Sequence, residues 1–141
     1  MFDLKSLNII NKDYQQFNLD DKKIIGLYFS ASWCPPCRKF TPVISTLYED
    51  MIEYYDDIEF VFISSDKSNI EFNEYWDKMS FPALSYEYRD KKKELVKLYD
   101  VGPIPALIFI NTNGELITKD GKKIIEDSNG NIEYIRTKLS V

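Results

Sequence analysis

Histidine is absent from the 141 residues, and cysteine occurs only twice, at Cys34 and Cys37. The chain therefore lacks imidazole, the side chain most often used as a general base near neutral pH. A structural zinc site needs about four ligands, so the two thiolates would have to be joined by carboxylates or by a second chain. These absences favour chemistry at the two sulfurs over chemistry at a histidine or a bound metal.

Basic residues are in the minority, and long apolar runs are missing. There are 18 Lys and Arg against 23 Asp and Glu, and the three lysines at 91–93 are typical of a solvated helix start. This balance argues against a nucleic-acid partner, because binding to phosphates needs a basic face. No apolar run approaches the roughly 18 residues of a membrane span, and the N-terminus lacks the blocks of a signal peptide. We therefore expect a cytosolic protein without a membrane partner.

The length of the chain is that of one ordinary domain, which folds without a disulfide or a metal. No internal repeat or low-complexity segment is visible. We expect a single domain over residues 1–141. In a reducing cytosol, a close cysteine pair is more often catalytic or metal-binding than a structural disulfide.

Two largely apolar runs without alternation, Ile24–Phe29 and Ile58–Ile63, predict strands that are covered on both faces of a sheet. Between them, apolar residues at spacings of three and four predict a helix over residues 35–55. A second helix is expected to start among residues 66–69 and to run through Phe72. This order implies parallel strands joined by a right-handed crossover, with Cys34 on the turn from strand to helix.

The second half of the chain predicts shorter elements: a helix over 91–99, a strand at Ala106–Ile110 and a closing helix over 132–139. Asn113-Gly114 is a signal for a two-residue hairpin, so residues 115–118 should return antiparallel at the sheet edge. Residues 4–10 are a further candidate edge strand. The whole pattern predicts an α/β fold with a central mixed β-sheet flanked by helices on both faces.

Two cysteines that open a helix lie in different environments. Cys34 falls at the helix entrance, where free backbone N–H groups and the positive end of the helix dipole favour an anion. Cys37 lies one turn further in and should be more buried. Pro35 and Pro36 have no N–H, which leaves the N–H and thiol of Cys37 as the nearest donors to the other sulfur. We therefore expect Cys34 to be the reactive thiolate.

The reaction that fits an exposed pair of this kind is thiol–disulfide exchange. Cys34 attacks a substrate disulfide, and Cys37 resolves the mixed disulfide and leaves an intramolecular one. Two buried cysteines without a function are disfavoured, because Ser30, Ser32 and two prolines are poor neighbours in a packed interior. Trp33 has two open interpretations: it shields one side of the pair, or it packs in the core at the strand end.

Three blocks of sequence carry a resemblance to a known family. They are Tyr28-Phe29-Ser30-Ala31-Ser32-Trp33-Cys34-Pro35-Pro36-Cys37-Arg38 with Phe40-Thr41-Pro42, then Val61-Phe62-Ile63-Ser64-Ser65-Asp66 with Phe72, Tyr75, Lys78 and Met79, and finally Ala83, Tyr86 and Arg89. With these blocks, the chain resembles the thioredoxin superfamily, and within it the tryparedoxin and nucleoredoxin branch. The resemblance extends from about residue 22 to residue 130.

The resemblance implies a thioredoxin-like fold and a thiol–disulfide oxidoreductase without a cofactor. Its electron donor would be a low-molecular-weight dithiol, glutathione or a reductase, and its acceptors would be disulfide-containing proteins such as a peroxiredoxin. The resemblance also implies that the Ile104–Pro105 peptide bond is cis and faces the cysteines. By the same resemblance, Ile104 and Pro105 line a substrate groove with Trp33 and Pro35.

Other features leave the proton route and the function open. Thioredoxins carry a buried aspartate six residues before the first cysteine, where this chain has Tyr28. Asp66 and Glu71 are nearby acids that are candidate proton acceptors, although solvation at the surface is the simpler role for them. One alternative function is a redox-regulated protein-binding module of the nucleoredoxin type. Another is that the chain is a piece of an exported or membrane-tethered thioredoxin of the cytochrome-maturation type.

Overall fold

A computed structural model describes residues 6–140. Of the helices in this part of the chain, none is both long and apolar enough to cross a membrane. The elements are, in chain order, β1 (Ile9–Ile10), β2 (Ile24–Ser30), α1 (Pro35–Tyr54), β3 (Ile58–Ser64), α2 (Asn69–Trp76), β4 (Ala83–Leu84), α3 (Arg89–Leu98), β5 (Ala106–Ile110), β6 (Leu116–Thr118), α4 (Gly121–Ser128) and α5 (Ile132–Lys138).

The strands form one mixed sheet in the order β1-β4-β3-β2-β5-β6. β2 and β3 pair in parallel along their full lengths, and their carboxyl ends meet where Ser30 lies opposite Ser64. β5 runs antiparallel to β2 and begins beside its carboxyl end. β1 and β6 are the edge strands, each antiparallel to its neighbour. The predicted fold class is confirmed, although β1 is shorter than predicted, and residues 4 and 5 lie outside the described residues.

Both faces of the sheet are covered, because successive side chains of a strand point in opposite directions. In β2, Tyr28 belongs to the core under α1, α2, α4 and α5. Its neighbours Leu27 and Phe29 belong to the second core, under α3 and residues 7–19. This double burial explains why β2 and β3 are largely apolar without alternation in the sequence.

The hairpin between β5 and β6 has a three-residue loop rather than the predicted two. The N–H of Asn111 donates to the carbonyl of Glu115, and the N–H of Gly114 donates to the carbonyl of Asn111. The side-chain Oδ1 of Asn111 also accepts from the N–H groups of Asn113 and Glu115. Gly114 has a φ of 82°, which glycine adopts without steric cost. Asn111 therefore organises the loop, and the pattern Asn-Gly alone did not show this.

Glu59 is a buried carboxylate in the second position of β3, with 6% of its surface exposed. Its Oε1 accepts from the N–H of Phe60 at 2.9 Å. Burial raises the pKa of Glu59 above its ordinary value of 4.5, while hydrogen bonds from Tyr48 and Phe60 oppose the shift. Because the folded state holds the proton more tightly, this group stabilises the protein below about pH 4.5. That contribution is lost as the pH rises through the raised folded-state pKa.

Replacing Glu59 with glutamine is expected to raise the free energy of unfolding near pH 7 by about 1 kcal/mol. The amide oxygen still accepts from Phe60, and no charge is buried. The gain should vanish below about pH 4.5, where the wild-type carboxyl is neutral. Urea unfolding at both pH values measures this, with Glu53→Gln, at an exposed carboxylate of α1, as the control. A loss of stability in Glu59→Gln near neutral pH would contradict the expectation.

Candidate active site

The two cysteines lie at the carboxyl end of β2, where the chain turns into α1. Cys34 is the N-cap of α1, with φ −98° and ψ 111°, and Pro35 and Pro36 are the first helical residues. Proline suits the first helical position because the N–H that it lacks would have no helical partner there. Proline also holds the preceding residue in the extended region, which is the cap conformation. The predicted position of Cys34 at the helix entrance is confirmed.

The cysteines are free thiols that differ in exposure. Cys34 retains 5% of its surface, and Cys37 retains 0%. The predicted order of burial is confirmed, but the expectation of an exposed pair is wrong. The loop with the prolines 103 and 105 packs against Cys34, whose Sγ donates to the carbonyl oxygen of Ile104 at 3.8 Å. A substrate disulfide must therefore approach Cys34 next to this loop.

The thiol of Cys37 is held in its protonated form. Burial raises the pKa of Cys37 from 9.0 to about 11. A hydrogen bond to the side chain of Cys34 acts in the same direction, whereas hydrogen bonds with Ser30 and the backbone of Ala31 act against it. The contact between the two sulfurs agrees with the sequence-based expectation that the Cys37 thiol is a donor to Cys34.

A chain of buried hydroxyl groups lies behind Cys37. The oxygens are 2.7 Å apart between Ser30 and Tyr75, 2.6 Å between Tyr75 and Thr41, and 2.7 Å between Thr41 and Tyr28. The hydroxyl of Thr41 also lies 2.9 Å from the carbonyl oxygen of Cys37. Burial raises the pKa of both Tyr28 and Tyr75, so these groups stay neutral. Tyr28 therefore brings a neutral hydroxyl network to the place where thioredoxins carry an aspartate.

Such a network suits a group that changes its protonation state. A hydroxyl can donate to a thiolate and, after rotation, accept from a thiol. Ser30 is the member that contacts Cys37 through its side chain. The sequence pattern singles out Tyr28 but predicts no role for Ser30, Thr41 or Tyr75. The signals that could have found them are Ser30, a polar residue at the end of the apolar strand β2, and the hydroxyl groups of Thr41 and Tyr75 on the buried faces of α1 and α2.

Trp33 lies at the surface beside the cysteines. It is 47% exposed, and its Nε1 donates to the carbonyl oxygen of Ser65 at 2.9 Å. The ammonium of Lys67 lies 5.7 Å from the centre of its ring. This position excludes the interpretation of Trp33 as a core residue at the strand end. The indole is fixed by one hydrogen bond and stays about half exposed, at the residue directly before Cys34.

Asp66 fastens the loop that carries the cysteines to the neighbouring strand. It is 5% exposed, and its Oδ1 accepts from the N–H of Ser32 at 2.7 Å and from the Ser32 hydroxyl at 2.6 Å. Its Oδ2 accepts from the hydroxyl of Ser64 at 2.6 Å. Tyr86 donates to the carbonyl of Asp66 at 2.8 Å, and Arg89 donates to that of Ser64 at 2.5 Å. The expectation that Asp66 is solvated at the surface is therefore wrong.

Glu71, the other acid considered from the sequence, belongs to the start of α2. Its N–H donates to the hydroxyl of the N-cap residue Ser68 at 3.1 Å, and its carboxylate accepts from the same hydroxyl at 3.4 Å. This is a capping arrangement. Within residues 6–140, no group of three or more Cys, Asp or Glu side chains is placed to hold a metal ion.

Replacing Asp66 with alanine is expected to lower the free energy of unfolding by about 2–3 kcal/mol, because Ser32 and Ser64 lose a charged acceptor. Asp66→Asn keeps an oxygen towards Ser32 and is expected to lose only about 1 kcal/mol. Urea unfolding measures both, with Asp50→Ala, at an exposed position of α1, as the control. If Asp66→Ala unfolds at the same urea concentration as Asp50→Ala, Asp66 does not fasten the loop.

The proline-bearing loop completes the site. The Ile104–Pro105 peptide bond is cis, as the resemblance implied. Both residues are half-buried, and Pro35 is exposed. The structure brings Ile104 next to Cys34, and β5 begins directly after Pro105 at the same end of the sheet. A role in substrate binding for Ile104, Pro105, Trp33 and Pro35 remains a prediction.

Comparisons with known proteins agree with this geometry. A family model described as thioredoxin-like matches residues 21–116. The tryparedoxin of Trypanosoma brucei brucei is 44% identical over 110 residues, which cover 77% of this chain and 76% of that protein. The nucleoredoxin of Danio rerio is 38% identical over 104 residues, which cover 73% of this chain and 25% of that protein. The chain thus spans only a quarter of the length of this nucleoredoxin.

Similarity also extends to solved structures. A structure of tryparedoxin II complexed with glutathionylspermidine superposes with a TM-score of 0.82. The two sequences are 32% identical, and the match covers 88% of each chain.

Proposed function

Since the chain belongs to the thioredoxin-like family, we propose that it is a thiol–disulfide oxidoreductase in which Cys34 attacks and Cys37 resolves. The observation that carries the proposal is the contrast between two adjacent thiols. Cys34 caps the helix and keeps residual exposure beside the cis-proline loop, whereas Cys37 is sealed behind it. In this arrangement the substrate can reach Cys34, whereas Cys37 is buried and reacts only after the mixed disulfide has formed.

The first step forms a mixed disulfide. The thiolate of Cys34 attacks one sulfur of the substrate disulfide, a Cys34–substrate S–S bond forms, and the other substrate sulfur leaves as a thiolate. The positive end of the helix dipole favours the attacking anion. With prolines at the first two helical positions, the N–H and the thiol of Cys37 are the nearest donors to it. The substrate sulfur that leaves takes a proton from the solvent.

The second step releases the product. Cys37 attacks the sulfur of Cys34, a Cys34–Cys37 S–S bond forms, and the Cys34–substrate S–S bond breaks. The second substrate sulfur leaves as a thiol that carries the proton given up by Cys37. The protein is thereby oxidised to an intramolecular disulfide, and the substrate is reduced by two electrons. The pKa of Cys37, about 11, means that this thiol must be activated at the moment of attack. The hydroxyl of Ser30 is placed to donate to the sulfur as negative charge develops.

The proposed acceptors are disulfide-containing proteins, with a peroxiredoxin as one candidate. The proposed donor is a low-molecular-weight dithiol, glutathione or a reductase, which returns Cys34 and Cys37 to thiols. The thiol ligand named for the tryparedoxin II structure supports a donor of low molecular weight. A cytosolic location belongs to the same proposal.

Reduction of insulin with dithiothreitol as the donor tests the proposed function. We expect the wild-type protein to accelerate the precipitation of the insulin B chain well above the rate with dithiothreitol alone. The variant with both cysteines replaced by serine sets the background. Wild-type protein that gives only this background rate would end the proposal.

A redox-regulated protein-binding module is the second candidate, favoured by the exposed indole of Trp33 beside the pair. In that case, a partner is held without a covalent bond and is released when the cysteines oxidise. Capture of partners on immobilised protein separates the two functions. Equal capture by wild type and by the double serine variant would favour the binding module, whereas capture that needs Cys34 favours the oxidoreductase.

A further inference from the structure

In three segments around Cys34, residues 31–40, 64–70 and 101–106, the exposed charged residues are all positive. Residues 31–40 and 101–106 contain no Asp or Glu, and residues 64–70 contain only Asp66. Arg38, Lys39 and Lys67 are exposed, whereas Asp66 is buried. The negative charge of Asp66 is already bound by the hydroxyls of the neighbouring loop and strand. A partner that approaches Cys34 therefore meets three cations and no free carboxylate in these segments.

Two of these cations are tied to the site by direct contacts. The Nη1 of Arg38 donates to the carbonyl oxygen of Ser32 at 2.7 Å, which keeps the guanidinium on the loop before the cysteines. The ammonium of Lys67 lies 5.7 Å from the ring centre of Trp33. Arg38 is thus held at the residue before Trp33, and Lys67 is held beside the indole itself.

The local charge is opposite in sign to that of the whole chain. The protein has a formal net charge of −5. A cationic rim on an acidic protein steers anionic partners towards the rim and repels them elsewhere. Two exposed apolar side chains accompany these cations. Trp33 is 47% exposed, and Ile70, in the same segment as Lys67, is 71% exposed. Charge and apolar surface together fit a segment that carries both carboxylates and an apolar side chain.

We propose that Trp33, Arg38, Lys39 and Lys67 form a docking surface for an acidic segment of a protein whose disulfide lies within that segment. This inference rests on the proposed function and specifies its substrate class. Carboxylates that flank the disulfide contact the cations, and an apolar side chain of the segment packs on the indole. The disulfide then lies over Cys34, between the indole and the cis-proline loop.

Three synthetic peptides test this surface. Each has one intramolecular disulfide and one tyrosine, and they differ only in four flanking residues, which are all Glu, all Gln or all Lys. The second-order rate constant for oxidation of pre-reduced protein is followed by tryptophan fluorescence. At low ionic strength, we expect the Glu peptide to react about tenfold faster than the Lys peptide, and added salt should shrink this ratio.

Reversing the charge of Lys67 tests whether the preference for the Glu peptide arises at the docking surface. Lys67→Glu is expected to lower the Glu-to-Lys rate ratio about fivefold. The matched control is Lys138→Glu, which changes the net charge equally. Lys138 is exposed at the end of α5, and its neighbour Leu139 lines a cavity with Ile24, at the opposite end of β2 from the cysteines. We expect Lys138→Glu to leave both the ratio and the rate with the Gln peptide unchanged.

The outcomes separate the docking surface from the proposed function. Equal rates for the Glu and Lys peptides, or equal effects of the two lysine variants, would overturn the docking surface. Oxidised glutathione tests a small anionic disulfide instead. If Lys67→Glu slows only that reaction and leaves the peptide ratio unchanged, the docking surface is likewise overturned. Failure of the wild type to react with the Gln peptide overturns the proposed function, and with it the docking surface.

Discussion

Replacing Cys34 with serine is expected to reduce disulfide reduction to the uncatalysed background, a loss on the order of 1000-fold or more. A serine hydroxyl is not ionised near neutral pH, and its oxygen forms no disulfide with a substrate. Cys37 does not take over, because it is fully buried and its pKa is raised to about 11. The rate is measured with insulin and dithiothreitol, as for the wild type.

The loss in Cys34→Ser must be separated from unfolding. Serine is close in size to cysteine, and within residues 6–140 the Cys34 sulfur makes one hydrogen bond to a carbonyl, the 3.8 Å contact with Ile104. We therefore expect the free energy of unfolding to change by less than about 1 kcal/mol. Thr46→Ala, at an exposed position of the same helix, is the control that should keep full activity. Activity above a tenth of the wild type in folded Cys34→Ser would show that Cys34 is not the nucleophile.

Replacing Cys37 with serine is expected to keep the first step and to block the second. Cys34 still attacks a disulfide, but no neighbouring sulfur displaces the product, so the mixed disulfide accumulates. We expect turnover to fall about 100-fold or more, while nearly all of the protein becomes covalently bound to substrate. Intact mass under non-reducing conditions measures the adduct, and excess dithiothreitol should remove it.

Cys34→Ser is the matched control for the adduct, since it has the same composition but keeps the buried sulfur. It should form no mixed disulfide under conditions where Cys37→Ser is converted almost completely. Two results would contradict the roles of the cysteines. One is full turnover by Cys37→Ser, and the other is an adduct that forms on Cys37 in Cys34→Ser.

The fold was predictable where the sequence pattern is long and local. β2, β3 and β5 are buried on both faces and therefore appear as largely apolar runs without alternation, and α1 repeats its apolar residues over 20 residues. α4 was not predicted, because it is short and its first residue, Gly121, has its meaning only in the packed structure. A Cβ there would overlap the carbonyl oxygen of Leu107 and lie 2.9 Å from the ring of Phe109. β4 has two residues and no pattern of its own.

The site was predictable only in part. The spacing of the cysteines placed them at the helix start, and the resemblance placed the cis-proline loop opposite them. The hydroxyl chain and the loop fastened by Asp66 depend on contacts between distant residues. Ser30 and Tyr75 are 45 positions apart, and Ser32 and Asp66 are 34 positions apart. The cytosolic location stays a prediction.

Selective alkylation of the reduced protein tests most directly whether the two thiols have different roles. With less than one equivalent of iodoacetamide near pH 7, peptide mass mapping gives the ratio of modification at Cys34 and Cys37. We expect Cys34 to react at least about tenfold faster, because Cys37 is fully buried and protonated. Modification of Cys37 should rise only as the pH approaches its pKa of about 11. Equal modification of the two cysteines near pH 7, or faster modification of Cys37, would contradict the division between nucleophile and resolving thiol.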